Sequence, residues 1–179
     1  VDSILDGLNW LGIHYDGKLI YQSQQKKSHL KIVDNLLDRG LAYKCFHTEE
    51  EIKRDINKKF KSEWRNKNNS DKNLPYCIRI KSPESGTIKI DDVVQGLVEV
   101  ECKEIDDYVI VRTDGTPTFL LSSAVDDFSM RVTDIIRGDD HLTNSFRQKL
   151  IFDFIQFKPN YCHIPLIHNE LNQKLSKRD

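Results

Sequence analysis

Apolar residues recur at helical spacing from the first turn of the chain. Ile4, Leu5, Leu8 and Leu11 share one face over residues 3–11, and Gly12 ends that helix. A second helix is predicted over 24–39, with Leu30, Val33, Leu36 and Leu37 on its apolar face and Gly40 where a C-terminal glycine cap belongs. Residues 41–46 read as a strand, and Thr48 opens a Thr-x-x-Glu capping box that closes at Glu51 and starts a third helix. Beyond Pro75 the period becomes two, which predicts strands at 77–81, 97–102 and 108–112 with turns at 83–86 and at Asp114-Gly115. After Pro117 the helical period returns, followed by a strand at 132–136, a helix at 145–157 and a short strand at 164–167. Helices and strands alternating at both ends, around an antiparallel middle, predict an α/β fold whose parallel sheet is interrupted by an insertion.

Composition sharpens this picture at one place. Between 53 and 72 stand eight basic residues (Lys53, Arg54, Lys58, Lys59, Lys61, Arg65, Lys67, Lys72) against the acids Asp55, Glu63 and Asp71, beside Trp64 and an Asn-rich tract. A solvated loop and a phosphate-contacting surface fit that stretch equally well. Across all 179 residues, 27 basic and 28 acidic side chains leave a net charge of −1, which excludes a histone-like polycation but not a local basic patch. Apolar runs such as Tyr108 to Val111 are far too short to span a membrane, and no signal sequence opens the chain, so no membrane partner is expected and the cytosol is the expected compartment. Cys45, Cys77, Cys102 and Cys162 stand apart without a CxxC pair and read as reduced thiols. A sequence that opens inside a helix without Met reads as a piece of a longer protein.

The segment Lys174-Leu175-Ser176-Lys177-Arg178 offers two ammonium groups and a hydroxyl to one polyanion. Lysine-rich loops are common, and the motif gains weight from Ile136-Arg137-Gly138-Asp139-Asp140-His141-Leu142, which follows a predicted strand and precedes a predicted helix. Ligands of open parallel sheets sit at such strand ends. No GxGxxG follows a predicted strand, which argues against a dinucleotide oxidoreductase.

In chain order, the segments 8–13 (LNWLGI), 21–23 (YQS), 37–45 (LDRGLAYKC), 112–118 (RTDGTPT), 125–127 (VDD), 136–142 and 174–178 resemble the class I glutamyl-tRNA synthetases. The resemblance covers nearly the whole chain and is weakest over 53–73. It implies the second part of a Rossmann-type catalytic domain, split by an α+β insertion that holds the acceptor end of tRNA. The expected division is 1–41 and 108–179 for the catalytic domain and 42–107 for the insertion. The implied activity is ATP-dependent conversion of L-glutamate to glutamyl-adenylate and its transfer to the 3′ end of tRNA(Glu). KLSKR is similar to the family's KMSKS signature, which implies that Lys174 and Lys177 are the catalytic cations on the ATP phosphates, with Ser176 beside them. A substrate carboxylate is already an anion, so the chemistry needs preorganised cations and Mg²⁺ rather than a general base.

The same resemblance puts Arg137 against the side-chain carboxylate of glutamate, a task suited to a guanidinium fork. It lays Asp140, His141 and Leu142 along the adenosine, although His141 reads equally well as a helix-start residue without a ligand. Phe119 and Ser123 stand in the glutamate pocket where the family often has Tyr and Asn. Cys45-x-His47 is similar to the first half of a zinc site, but Trp64 and Asn66 stand where its second half belongs, so no zinc is expected. Lys58, Lys59, Lys61 and Arg65 are candidates for tRNA contact by charge alone. The family's HIGH signature is absent, so the isolated piece is expected to be inactive even where the longer protein is an enzyme. A monomer is the expected state. Two alternatives stand beside the ligase: a module that only binds an RNA acceptor stem, and a glutamyl-queuosine tRNA synthetase-like paralogue.

Overall fold

The computed structural model describes residues 2–47, 51, 61–67, 74–171 and 173–175. Four helices lie among them: α1 (Asp2–Trp10), α2 (Lys26–Asp38), α3 (Phe119–Met130) and α4 (Leu142–Phe154). Seven strands accompany them: β1 (Ala42–Cys45), β2 (Cys77–Ile80), β3 (Thr87–Asp92), β4 (Gly96–Glu101), β5 (Val109–Val111), β6 (Asp134–Gly138) and β7 (Asn160–Ile164). One sheet is antiparallel, in the order β1-β2-β5; the other is mixed, in the order β4-β3-β7-β6. In the mixed sheet β7 pairs in parallel with both β3 and β6, while β3 and β4 form a hairpin. The segment β6–α4–β7 is therefore a βαβ unit, and the α/β class expected from the sequence holds.

The helix that the sequence marks most clearly is closed as its glycine predicts. Gly40 adopts φ 66°, its N–H reaches the Leu37 carbonyl at 3.0 Å, and the Leu41 N–H reaches the Leu36 carbonyl at 2.8 Å. That pair of bonds is a Schellman cap, and a left-handed residue there costs glycine nothing. Val33 and Leu36 of α2 then enter one core cluster with Ile80 of β2, Ile88 and Ile90 of β3, Leu121 of α3, and Ile151 and Phe152 of α4. Each such side chain, fully buried, contributes roughly 1.5–3 kcal/mol. Both sheets close on this one core. Hydrogen bonding also crosses the segments 42–107 and 108–179, because β3 pairs with β7 and β5 pairs with β2.

Several boundaries differ from the sequence expectation, each for a local reason. β6 starts at Asp134 rather than 132, because Arg131 turns left-handed (φ 56°) and Val132 donates back to Asp127 to close α3. α4 ends at Phe154; Phe157 belongs to the apolar pattern because its ring packs edge-on against Phe152 and Phe128, outside the helix. β7 covers 160–164 rather than 164–167: Tyr161 and His163 point inward, and Pro165 has no N–H to donate to a ladder. β3 was not expected at all. α1 forms as predicted but buries none of its residues, leaving Ile4 and Trp10 exposed, as is Leu11 just beyond it. The capping box at Thr48 lies outside the described residues.

Candidate active site

The carboxyl end of β6 carries Arg137 and Gly138, and a 3-10 turn over Asp139–His141 leads directly into α4. A Cβ on Gly138 would lie 2.7 Å from Asp140 Oδ1 and 2.9 Å from Leu166 Cδ2. Glycine thus lets the Asp140 carboxylate fold back over the strand end. From the other side Lys174 Nζ donates to Asp140 Oδ2 at 2.5 Å, and this ammonium holds the carboxyl below its ordinary range. Lys174 is delivered by a tight loop in which Leu175 N–H reaches the Ile167 carbonyl at 3.0 Å. Within that loop the Asn169 side-chain oxygen accepts from the N–H groups of Leu171 and Gln173. Asp140 and Lys174, far apart in sequence, are thus brought together. Ser176 and Lys177 lie outside the described residues.

Arg137 is half-buried, and one edge of its guanidinium is already engaged. Nε–H points to His163 Nε2 at 3.3 Å, and Nη2 donates to Ser145 Oγ. Ser145 Oγ lies 2.5 Å from His163 Nε2, and His163 Nδ1 lies 2.6 Å from Asp92 Oδ2. Asp92, Ser145 and His163 are all buried. Asp92 also accepts from the backbone N–H groups of Val94, Gln95 and His163. Asp127 faces the guanidinium electrostatically; burial raises its carboxyl above the ordinary range, and Arg137 offsets only part of that rise.

The remaining expected site residues lie on α3 and at the start of α4. Phe119 opens α3 and is exposed, while Ser123, one turn on, donates to the Phe119 carbonyl at 2.8 Å and accepts from Gln148 Nε2 at 2.5 Å. The Ser123 donor is therefore spent on its own helix. Gln148, which the sequence does not mark, is buried, and its Oε1 has no hydrogen-bond partner among the described residues. His141 is exposed, with Asn144 Nδ2 at 3.3 Å from its Nδ1, and Leu142 packs against the core at the first position of α4. Asp92, Ser145 and His163 also escape the sequence reading. An Asp, a Ser and a His with no motif around them give no local signal, and only the fold brings them beside Arg137.

A second polar cleft, of about 610 Å³, lies beside β1 and is lined among others by Lys44, Arg65, Lys67 and Lys81. Arg65 is not free to meet a phosphate there: its guanidinium grips the fully buried Asp107 at 2.6 and 2.7 Å and donates to the Ser82 carbonyl at 2.6 Å. Lys61 donates to the Pro83 carbonyl at 3.3 Å, while Lys58 and Lys59 lie outside the described residues. Cys45 faces Cys77 across β1 and β2, and the His47 ring packs on Trp64. Among the described residues no group of three His, Cys, Asp or Glu side chains could hold a metal, and no helix is long and apolar enough to cross a membrane.

The βαβ unit β6–α4–β7, with Arg137 and the Asp140–Lys174 pair at the carboxyl end of its first strand, defines an α/β domain with a charged strand end. The chain belongs to the class I tRNA synthetases (E and Q), whose catalytic-domain model matches residues 1–179. It is 42% identical over 187 residues to glutamate–tRNA ligase 1 of Ehrlichia canis, covering 99% of this chain and 40% of that protein. Against glutamate–tRNA ligase 1 of Cereibacter sphaeroides it is 43% identical, with the same coverage. Among solved structures it resembles a glutamate tRNA ligase from Elizabethkingia meningosepticum in complex with its amino acid, at TM-score 0.86 and 28% identity, over 99% of this chain and 42% of that one. The glutamate-tRNA synthetase of Elizabethkingia anophelis follows at TM-score 0.84 and 27% identity, again over 99% of this chain and 42% of that one. The chain thus spans about two fifths of the length of these relatives.

Proposed function

We propose that this chain is the part of a glutamate–tRNA ligase that selects glutamate and assists its activation by ATP. The observation that carries the reading is the half-buried Arg137 at the carboxyl end of β6, beside the Asp140–Lys174 pair. Arg137 pairs with the γ-carboxylate of glutamate, which glutamine lacks, and the guanidinium keeps its charge at any working pH. The α-carboxylate then attacks the α-phosphorus of ATP: a carboxyl oxygen–phosphorus bond forms, the bond to the bridging α–β oxygen breaks, and pyrophosphate leaves with its electrons. Lys174, released from Asp140, and Lys177 meet the negative charge that grows on that leaving group. Asp140, His141 and Leu142 line the adenosine side, and Phe119 and Ser123 wall the glutamate side. Ser123 contributes shape more than a donor, since its proton is already given to Phe119.

Mg²⁺ bound with the nucleotide would supply further neutralisation of phosphate charge. A hydroxyl at the 3′ end of tRNA(Glu) then attacks the glutamyl carbonyl: the ester bond forms, the bond to the adenylate phosphate oxygen breaks, and AMP leaves with its electrons while the hydroxyl proton is lost to phosphate or water. The basic cleft beside β1 lies on the path of the acceptor strand. The protein works in the cytosol as a monomer. The names of the relatives support the 3′-end ligase over both the RNA-binding module and the modified-base paralogue. Glutamate-dependent ATP–pyrophosphate exchange by the full-length protein, with tRNA present, tests the reading. Arg137→Ala is expected to lower kcat/KM for glutamate by about 10²–10³, the range seen when one preorganised charge-stabilising donor is removed. Unchanged glutamate kinetics in that variant would refute the assignment.

A further inference from the structure

We propose that Asp92, His163 and Ser145 are positioning residues that aim the Arg137 guanidinium at its carboxylate partner, an inference that rests on the glutamate-binding role of Arg137. Donor and acceptor chemistry fixes every step of the chain. Asp92 is already met by three backbone N–H groups, and its carboxylate only accepts, so the His163 proton sits on Nδ1 and is donated to Asp92 across 2.6 Å. That leaves His163 Nε2 as an acceptor. It faces the Arg137 Nε–H, which only donates, and Ser145 Oγ at 2.5 Å, whose hydroxyl proton goes to this nearer acceptor rather than to the His141 carbonyl at 3.3 Å. The Ser145 oxygen in turn receives Arg137 Nη2–H. Each hydrogen bond therefore points from the guanidinium toward the buried carboxylate, through two side chains that are completely enclosed.

The consequence for Arg137 is directional. Nε and Nη2 form one edge of the planar guanidinium, and His163 and Ser145 occupy that edge. The adjoining Nη1–Nη2 edge has no hydrogen-bond partner among the described residues, although Asp127 interacts with the guanidinium through its charge, and it is the edge that can clasp a carboxylate with two parallel bonds. An unsupported arginine would lose several rotors on binding glutamate; this one has them fixed beforehand. His163 enters from β7 and Asp92 from β3, so the β3–β4 hairpin reaches the specificity residue through hydrogen bonds rather than by touching substrate.

The test uses the full-length protein in glutamate-dependent pyrophosphate exchange with tRNA present, comparing wild type, Ser145→Ala, His163→Leu, His163→Gln and Arg137→Ala. Misaiming a bound group costs about 10²-fold when it moves by an ångström. His163→Leu is accordingly expected to raise KM for glutamate by about 10- to 100-fold and leave KM for ATP within about twofold, while narrowing the preference for glutamate over glutamine. His163→Gln, whose side-chain carbonyl can accept from the same two donors, should recover most of the loss. Ser145→Ala should raise KM for glutamate by about fivefold or more, yet add less than about twofold in an Arg137→Ala background, because the two residues act as one unit. If His163→Leu does not fold, Ser145→Ala and its double variant decide the question. Equal changes in both KM values, an unchanged glutamate-to-glutamine ratio, or additive effects in the double variant overturn the proposal. If Arg137→Ala itself leaves glutamate kinetics intact, the underlying reading fails instead.

Discussion

Asp92 shows how one carboxylate can serve both stability and the site. Burial alone would raise its pKa, but N–H groups of Gln95, Val94 and His163, together with the His163 ring, outweigh that and hold it at about 2, against an ordinary 3.8. A folded-state pKa below the unfolded one gives stability that is complete above the unfolded value and is lost as pH falls through the folded value. Asp92 therefore contributes about 2 kcal/mol near neutrality, and this disappears between about pH 4 and pH 2. Denaturant unfolding of wild type and Asp92→Asn should show a stability gap that narrows by about 2 kcal/mol across that window. A gap that stays constant from pH 4 to pH 2 would mean that the Asp92 carboxyl is not held in this way.

The turn over Glu63–Asn66 shows how charge alone misleads at the level of elements. Arg65 lies in the most basic stretch of the sequence, yet its side chain is only 10% exposed and pins this turn to the loop before β5 through Asp107. Breaking a buried pair from one side strands the other charge, at about 3–5 kcal/mol. Ser82 and Tyr43 still donate to Asp107, so Arg65→Ala should cost about 3 kcal/mol in denaturant unfolding. A loss below about 1 kcal/mol would show the pair to be dispensable. α2 was legible because a clean apolar stripe ends in a glycine that must turn left-handed, and β4 because Val98-Glu-Val-Glu101 alternates without a break, while β1 and β2 are short runs buried on nearly every position. β3 was not, since Thr87-Ile-Lys-Ile-Asp-Asp92 holds only two apolar residues and its third inward side chain is an acid. β7 hid for the same reason, its inward positions being Tyr161 and His163 rather than aliphatic residues. The two misread strands are the ones that carry the buried polar chain to Arg137. Motifs marked Arg137, Asp140 and Lys174, whereas the support behind Arg137 is written only in three-dimensional proximity.

One core joins the two sheets, so the cleft beside β1 and the strand end at Arg137 belong to a single packed body. A net charge of −1 gives that body no general attraction for a polyanion, and any steering of tRNA has to come from local clusters. The cleft supplies one: Lys44 leans over the Tyr76 ring at 4.6 Å, Lys67 pairs with the exposed Glu63 and lies over the Trp64 ring at 5.4 Å, and Lys81 lines the same wall. Exposed pairs of this kind are worth at most about 1 kcal/mol, so exchanging Glu63 for a phosphate costs little. Arg65, held by Asp107, contributes to the wall but not to the exchange. Counterion release sets a measurable signature, because each phosphate neutralised on a single strand steepens the slope of log K against log salt by about 0.7. Replacing Lys44, Lys67 and Lys81 together by alanine in the full-length protein should therefore flatten that slope for tRNA by about 2, with glutamate kinetics at saturating tRNA unchanged. A slope that does not move would put the acceptor strand on another face of the molecule.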